Sequence, residues 1–355
     1  MIELLKIQSL RNLHQVTLDN LKTLNLIIGP NGSGKTSLLE AVHIAGTGRS
    51  FRSNQISNVI QNESEQLTIY AQLSSDNRVG VQRTRRGEFS VRINQQDQDK
   101  LSVLAQYLPV RIIAPDSFLM LTTGSKLRRQ YLDFSVFHVE HLFIRDWQNY
   151  NRIIKQRNAQ LKQSKSYQDI KYWDSELIPL AKSINNIRKE VFKRLEGYIT
   201  DFQLTFLPQY KVQYVFKSGT AESDLQQQFK AAYETDRRYG NTSLGPHKAD
   251  IKILINGQDA HTVLSRGELK MLVISMMLAQ VKWLGEIQNK FSCLLIDDLT
   301  SELDVIKQQM LLNSLQEIPN LQLFISSIDK PDYFNQLKDT DYRMFHVEQG
   351  QVKSN

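Results

Sequence analysis

Gly29-Pro30-Asn31-Gly32-Ser33-Gly34-Lys35-Thr36 fits the pattern G-x-x-x-x-G-K-[ST]; the apolar run Leu24, Leu26, Ile27, Ile28 precedes it and Ser37-Leu38-Leu39-Glu40 follows. The order is strand, glycine loop, helix start. Backbone N–H groups converge on a phosphate chain only where no Cβ stands in the way, which is the use of Gly29, Gly32 and Gly34. Lys35 is placed to reach β- and γ-phosphates, Thr36 to put its hydroxyl on Mg²⁺, and the positive end of the following helix faces the same anion. Four such fixed positions coincide by accident in a chain of this length about 1% of the time at average residue usage, so an ordinary Gly-rich turn is the weaker reading. Residues 29–36 are expected to bind a nucleotide.

With 355 residues, 41% hydrophobic and 23% charged, the chain can bury one large core or two ordinary ones. No apolar run approaches the roughly 18–20 residues of a membrane-spanning helix, and Met1-Ile2-Glu3-Leu4-Leu5-Lys6 lacks the order of a signal peptide. The single cysteine, Cys293, sits in an apolar strand and reads as a buried structural thiol, in keeping with a reducing cytoplasm. Charge is unevenly placed. Residues 121–210 hold 15 Lys/Arg against 9 Asp/Glu, a net +6 of the chain's +7. Such a bias suits a polyanionic partner, although a solvated helical face accounts for part of it.

Outward from the loop, residues 2–28 read as strands with a turn, and the helix from Lys35 carries Leu38, Leu39, Val42 and Ala45 at core spacing before Gly46-Thr47-Gly48. Arg49-Ser50-Phe51-Arg52-Ser53 follows, a surface loop or a contact to nucleotide or nucleic acid. Alternation from 67 to 93 predicts an antiparallel meander with Arg83-Thr84-Arg85-Arg86 at a hairpin tip, a second candidate phosphate contact. From about Lys126 to Leu207 the spacing turns helical, with Pro179 expected in a helix's first turn or at a kink. Alternation resumes at 211–216, and Leu244-Gly245-Pro246-His247-Lys248-Ala249-Asp250 leads into a hairpin turning at Asn256-Gly257. The expected division is 1–124, a helical insertion over 125–208, and 209–355.

Two further stretches carry chemistry. Leu264-Ser265-Arg266-Gly267-Glu268 opens the apolar helix from Leu269 to Leu284, with Ser265 at an N-cap and Glu268 at the reciprocal capping-box position. That local role suffices for both residues; the functional alternative is a second helix N-terminus offered to a γ-phosphate. Phe291, Cys293, Leu294, Leu295 and Ile296 form a β run ending in Asp297-Asp298, the form of a Walker B strand. Asp297 is read as a carboxylate for Mg²⁺ and Asp298 as the group that orients or deprotonates the attacking water. Ser301-Glu302-Leu303-Asp304 comes directly after, and Leu321-Leu323-Phe324-Ile325 gives another buried strand ending in Ser326-Ser327.

The order GPNGSGKT, LSRGE, LLIDD, SELD resembles the ABC-type ATPase heads, in which two nucleotides are sandwiched between two heads. Lys35 and Asp297 lie 262 residues apart, which resembles the SMC-related DNA-repair branch. More narrowly, LRNL, GRSFRS, KQRNAQL, WDSELIPLA, GPHKAD, LSRGELK and LLIDDLTSELD together resemble the RecF family of bacterial recombination mediators, over the whole chain. The resemblance implies an α/β fold: an ABC-type ATPase head with a P-loop and a mixed sheet that has an antiparallel portion, and a mostly helical inserted lobe. It implies ATP and Mg²⁺ as cofactors, and an ATP-dependent homodimer on gapped or duplex DNA at single-strand/double-strand junctions. RecO and RecR are the implied partners in loading RecA, with slow DNA-stimulated ATP hydrolysis and a part in the SOS response. Carried over by position, Gly29, Pro30, Asn31, Gly32, Ser33, Gly34, Lys35 and Thr36 bind ATP; Lys35, Asp297 and Asp298 are catalytic; Thr36 and Asp297 hold the metal; and Ser265, Gly267 and Glu268 reach across the dimer. Two departures from the broad ABC pattern stand out: Asp298 replaces the usual glutamate, and no histidine occupies Ser326 or Ser327, both expected to slow turnover.

Lys126, Arg128, Arg129, Arg145, Arg152 and Lys155 are the candidate DNA phosphate contacts. Two rival readings remain. A transport ATPase subunit would hydrolyse ATP indifferently to DNA; a non-catalytic scaffold would use ATP only as structural glue.

Overall fold

Leu26, Ile27 and Ile28 are all buried, and a strand apolar on both faces belongs inside a covered parallel sheet. In the computed structural model, Leu24–Ile28 is strand β3, with parallel neighbours β13 (Leu321–Ser327) and β14 (Tyr342–Glu348). The structure describes residues 1–354 except 75, 222–223, 289–290, 300–302 and 339–340; Ser301 and Glu302 of the expected SELD segment therefore lie outside the described residues. The sheet continues through β12 (Ser292–Ile296) to β8 (Val110–Ile113) on one side and to antiparallel β15 (Gln351–Ser354) on the other. β13 lies between β3 and β12. The glycine loop and Asp297 thus leave the sheet at the same carboxyl-terminal edge with Ser326 on the strand separating them.

A second, antiparallel sheet runs β2 (Leu13–Leu18), β1 (Ile2–Leu10), β4 (Gln66–Leu73), β5 (Arg78–Thr84), β6 (Phe89–Ile93), β7 (Gln96–Gln98), with the alternating burial its meander predicts. Helix α1 (Lys35–Thr47) belongs to the core shared by both sheets: Leu38, Leu39 and Val42 pack in one apolar cluster with Ile7, Ile69 and Val81, and with Leu295, Phe324 and Phe345. One buried amide fastens the start of the chain to that core. Gln322 Oε1 accepts from Ile2 N at 2.7 Å, while its Nε2 donates to Ile2 O at 2.8 Å and Lys22 O at 3.0 Å. These segments form one compact unit, Met1–Ser117 with Val281–Asn355.

The other unit is Phe118–Gln280, longer at its C-terminal end than the 125–208 insertion expected. The physical reason is the three-stranded sheet β11 (Gln258–Asp259), β10 (Asp250–Ile255), β9 (Val212–Lys217), which packs on helices of the lobe. Arg128 ties helix α2 (Ser125–Val139) to β10 by a fork onto Asp250, at 2.7 and 3.1 Å. Asn256 and Gly257 turn the β10–β11 hairpin with φ of 52° and 79°, as a two-residue primed turn requires. Helix α3 (His141–Leu161) packs along α4 (Lys171–Phe206), a 36-residue helix roughly 54 Å long. Pro179 lies inside α4, beyond its first turn, with its ring exposed. Helix α5 (Leu225–Tyr239) completes a buried ionic cluster. Arg157, fully buried, donates to Asp174 at 2.6 Å, Asp236 at 2.8 Å and Thr242 at 2.9 Å, joining α3, α4 and α5.

Removing that guanidinium leaves two buried carboxylates facing each other without a counter-charge. Arg157→Met is expected to lower the unfolding free energy of the Phe118–Gln280 unit by about 3–5 kcal/mol, read from urea denaturation; a loss under about 1 kcal/mol would show the cluster to be energetically idle.

Candidate nucleotide-binding site

Gly29 is the position where main chain passes closest to main chain. Its φ is +152°, and a Cβ there would stand 2.2 Å from Val347 O on the neighbouring strand β14. The loop that follows is clasped from outside: Ser33 O accepts from Asn12 Nδ2 at 3.0 Å and from Gly350 N at 2.8 Å. Lys35 folds back so that Nζ donates to Gly29 O at 2.6 Å and Pro30 O at 3.0 Å. Burial draws its pKa down, opposed by the nearby charges of Asp298 and Asp297.

Thr36 Oγ1 donates to Asp297 Oδ1 at 3.0 Å, and Ser326 Oγ donates to the same oxygen at 2.7 Å. Asp298 N in turn donates to Ser326 Oγ at 2.8 Å. The head of α1 and the ends of β12 and β13 are thereby pinned at one carboxylate. Burial pushes the Asp297 carboxyl up; the hydrogen bonds from Ser326 and Thr36 oppose it, and the charge of Asp298 adds to it. Asp298 sits at φ 56°, the left-handed region that Asp and Asn tolerate best among residues with a Cβ.

A cavity of about 360 Å³ opens among these groups, lined by Asn31, Gly32, Gly34, Lys35, Thr36 and Ser37 from the loop and by Asp297, Asp298 and Ser326 from the strand ends. Arg11, Asn12, Arg52 and Pro115 complete it. The residues fit a polyphosphate: Ser33 Oγ is buried without a hydrogen-bond partner, and a desolvated ammonium stands ready for an anion. Thr36 and Asp297 supply hard oxygen donors of the kind Mg²⁺ takes, and an ion that keeps most of its waters needs no larger carboxylate cage. No cluster of three or more His, Cys, Asp or Glu occurs among the described residues.

Arg11 and Asn12 belong to the LRNL stretch of the family resemblance, but the sequence assigns them no role. They turn the β1–β2 hairpin and meet α1 only in the fold, where Arg11 makes a two-point ion pair with the fully buried Glu40 and Ser50 donates to the same carboxylate. That contact holds the loop bearing Arg52 beside the cavity. In the Arg83–Arg86 cluster, Arg86 is exposed while the other two arginines are turned to the protein itself. Arg83 donates to Gly48 O, and Arg85 donates to the carbonyls of Ser64, Gln61 and Asn62, so both guanidinium groups serve the protein's own backbone.

In the other unit, helix α6 (Arg266–Gln288) begins as its capping box predicts: Ser265 N and Oγ donate to Glu268 Oε2 at 2.9 and 2.6 Å, and Tyr210 Oη donates to Oε1 at 2.9 Å. Ser265, Arg266 and Gly267 are exposed. Of the basic residues expected on DNA, Lys126, Arg145, Arg152 and Lys155 are exposed, the last three along one side of α3. Arg128 is corrected: it is buried and its guanidinium is engaged by Asp250 and the carbonyls of Met120 and Thr123. Arg129 is half-buried and donates to Ala249 O at 2.8 Å.

Residues 1–353 match the family model described as the RecF/RecN/SMC N-terminal domain. The chain is 41% identical over 352 residues to the DNA replication and repair protein RecF of Shewanella woodyi, covering 98% of this chain and 96% of that one. Its RecF counterpart from Shewanella loihica is also 41% identical, with 98% of both chains covered. Among solved structures, the recombination mediator protein RecF with ATP in the RecFOR pathway superposes with a TM-score of 0.88 at 23% identity, covering 100% of this chain and 97% of that one. An Smc head bound to the C-terminal winged-helix domain of ScpA gives 0.58 at 13% identity, with 100% and 97% covered. The fold is that of an SMC-type ATPase head, and the chain belongs to the RecF family within the RecF/RecN/SMC group.

Proposed function

We propose that this protein is an ATP-operated clamp of recombinational repair, in which two copies close on each other around ATP and hold DNA while closed. The observation that carries this reading is the carboxylate of Asp297 fixed between Thr36 and Ser326 beside a free polyphosphate cradle. Lys35 and the N–H groups of residues 29–36 hold the phosphates, and Thr36 with Asp297 would hold Mg²⁺, which neutralises phosphate charge when bound. Asp298 orients the attacking water. Its shorter side chain makes hydrolysis slow, because water positioning tolerates little displacement.

Ser265, Gly267 and Glu268 seal the nucleotide held by the other copy. Gly267 supports this: a Cβ there would meet nothing within 4 Å, so the chain's own packing gives no reason for a helix-weakening glycine. A surface from outside does. The closed dimer binds gapped and duplex DNA through phosphate contacts that include Lys126, Arg145, Arg152 and Lys155, and with RecO and RecR it helps load RecA, as the family's place in the RecFOR pathway suggests. A cytoplasmic location and a part in the SOS response belong to the same reading; no described helix is long and apolar enough to cross a membrane.

Sedimentation with and without ATP, with gapped and plain duplex DNA at two salt concentrations, tests the clamp. ATP-dependent dimers that bind DNA with a steep salt dependence are expected; a strict monomer at saturating ATP would refute it. Lys35→Ala should abolish both the dimer and DNA retention. Asp298→Asn keeps the left-handed backbone and should trap ATP-bound dimers with turnover reduced about 100-fold; unchanged turnover would favour the scaffold. Gly267→Arg should leave the thermal midpoint of the monomer intact while eliminating the ATP-induced dimer.

A pH-dependent outcome follows from Asp297. Its carboxyl is raised in the folded state, so the protonated form stabilises the fold, and that stabilisation is lost as pH rises through the folded pKa. Without nucleotide or metal, Asp297→Asn should therefore melt higher than wild type at neutral pH, and the difference should vanish as pH falls through the carboxylate range.

A further inference from the structure

Helix α4 has two working faces. One is buried through Leu177, Ala181, Ile184, Arg188, Val191 and Leu195. The second carries Lys182, Asn185, Lys189, Phe192 and Glu196 at alternating three- and four-residue steps, with Lys193 next to Phe192, and together with β9 it lines a cavity of about 550 Å³. This volume falls within the roughly 300–1,000 Å³ of small-molecule sites. The cavity lies wholly within the Phe118–Gln280 unit and shares no residue with the glycine-loop site.

Its chemistry is specific. Phe192 and Phe216 stand 6.0 Å apart between ring centroids at 35°, and Tyr214 lies on the same face of β9 as Phe216. Tyr214 is only 6% exposed, yet its hydroxyl has no hydrogen-bond partner; Asn185 Oδ1 is likewise buried and unpartnered. Two buried polar atoms without partners are costly for a protein to leave, by about 1–3 kcal/mol each, and both line this cavity. Burial pushes the Tyr214 hydroxyl above its ordinary pKa, with the charge of Glu196 adding to the effect, so it stays a donor. Lys182, Lys189 and Lys193 are exposed and form no ion pair among the described residues. With Glu196 the wall has a net charge of +2.

The geometry points to a second nucleotide site here: a base against Phe192, Phe216 and Tyr214, its N–H and ring acceptor groups meeting Asn185 and the tyrosine hydroxyl, and its phosphate against the three lysines. An apolar ligand would leave the polar atoms unsatisfied, and a free phosphate would leave the aromatic floor bare. The nucleotide comes either free from solution or as one unstacked residue of a DNA strand. Base–aromatic stacking is worth roughly 1–3 kcal/mol and is tolerant of base identity.

The test uses the full chain and two probes, 2-aminopurine deoxyriboside 5′-monophosphate and an oligothymidylate carrying one internal 2-aminopurine, both quenched on stacking. Saturable quenching of the monophosphate is expected with Lys35→Ala as with wild type. The triple variant Lys182→Gln, Lys189→Gln, Lys193→Gln should weaken it about tenfold or more, and Tyr214→Phe about fivefold, with thermal midpoints unchanged. Quenching by the monophosphate assigns free nucleotide; quenching by the oligonucleotide alone assigns the strand. The proposal is overturned if neither probe saturates, if Lys35→Ala abolishes binding while the triple variant keeps it, or if inorganic phosphate or a base-free acidic peptide displaces the probe as well as unlabelled dAMP does.

Discussion

One carboxylate oxygen holds this site together. Asp297 Oδ1 receives Thr36 from the head of α1 and Ser326 from the end of β13, so the glycine loop, the central strand and the β12 terminus share a single acceptor. Hydroxyl donors make that arrangement tolerable for a buried acid, and neither donor brings a positive charge. The carboxyl therefore remains raised, and a cation is the partner that would relieve it. The rest of the head serves to bring these three ends together: a parallel sheet with β13 in the middle is the topology that places them at one edge.

Around that acceptor, the supporting groups are themselves fixed by buried polar contacts. Glu40, fully buried on α1, takes Arg11 from one side and Ser50 from the other, and so couples the first hairpin to the loop after the helix. Gln322 does the same for Ile2, meeting both its main-chain N–H and its carbonyl. Each is a buried polar group with its partners met, which fixes a register more sharply than apolar packing does.

The basic lobe shows why charge counted along a sequence is an incomplete guide to ligands. Arg157, Arg188 and Arg128 contribute to the excess between 121 and 210, yet each is buried and paired: Arg157 with two aspartates, Arg188 with Asp133 while lying over Trp147, Arg128 with Asp250. Planar guanidinium groups suit such positions because the fork matches a carboxylate. The cations left for phosphate are mostly lysines and the exposed side of α3.

The glycine loop, the Asp297-Asp298 strand end and the Ser265–Glu268 capping box were legible in the sequence because each is set by contacts within a few residues: absent Cβ atoms, a uniformly apolar strand, a reciprocal cap. The meander and the Asn256-Gly257 hairpin were legible for the same reason, through period-two alternation and a turn that needs positive φ. What only tertiary structure decided are the long-range pairings. Arg11 with Glu40, Gln322 with Ile2, Arg128 with Asp250, and Ser326 with Asp297 join residues from 29 to 320 positions apart, and nothing local says which residue meets which. What the sequence does not mark in these pairs is the partnership itself, even where one member, such as Asp297, is marked singly; local sequence selects conformation through sterics and hydrogen bonds along the chain. Which buried charge meets which, and hence which cations stay free for a ligand, is fixed only when distant strands and helices close on one another.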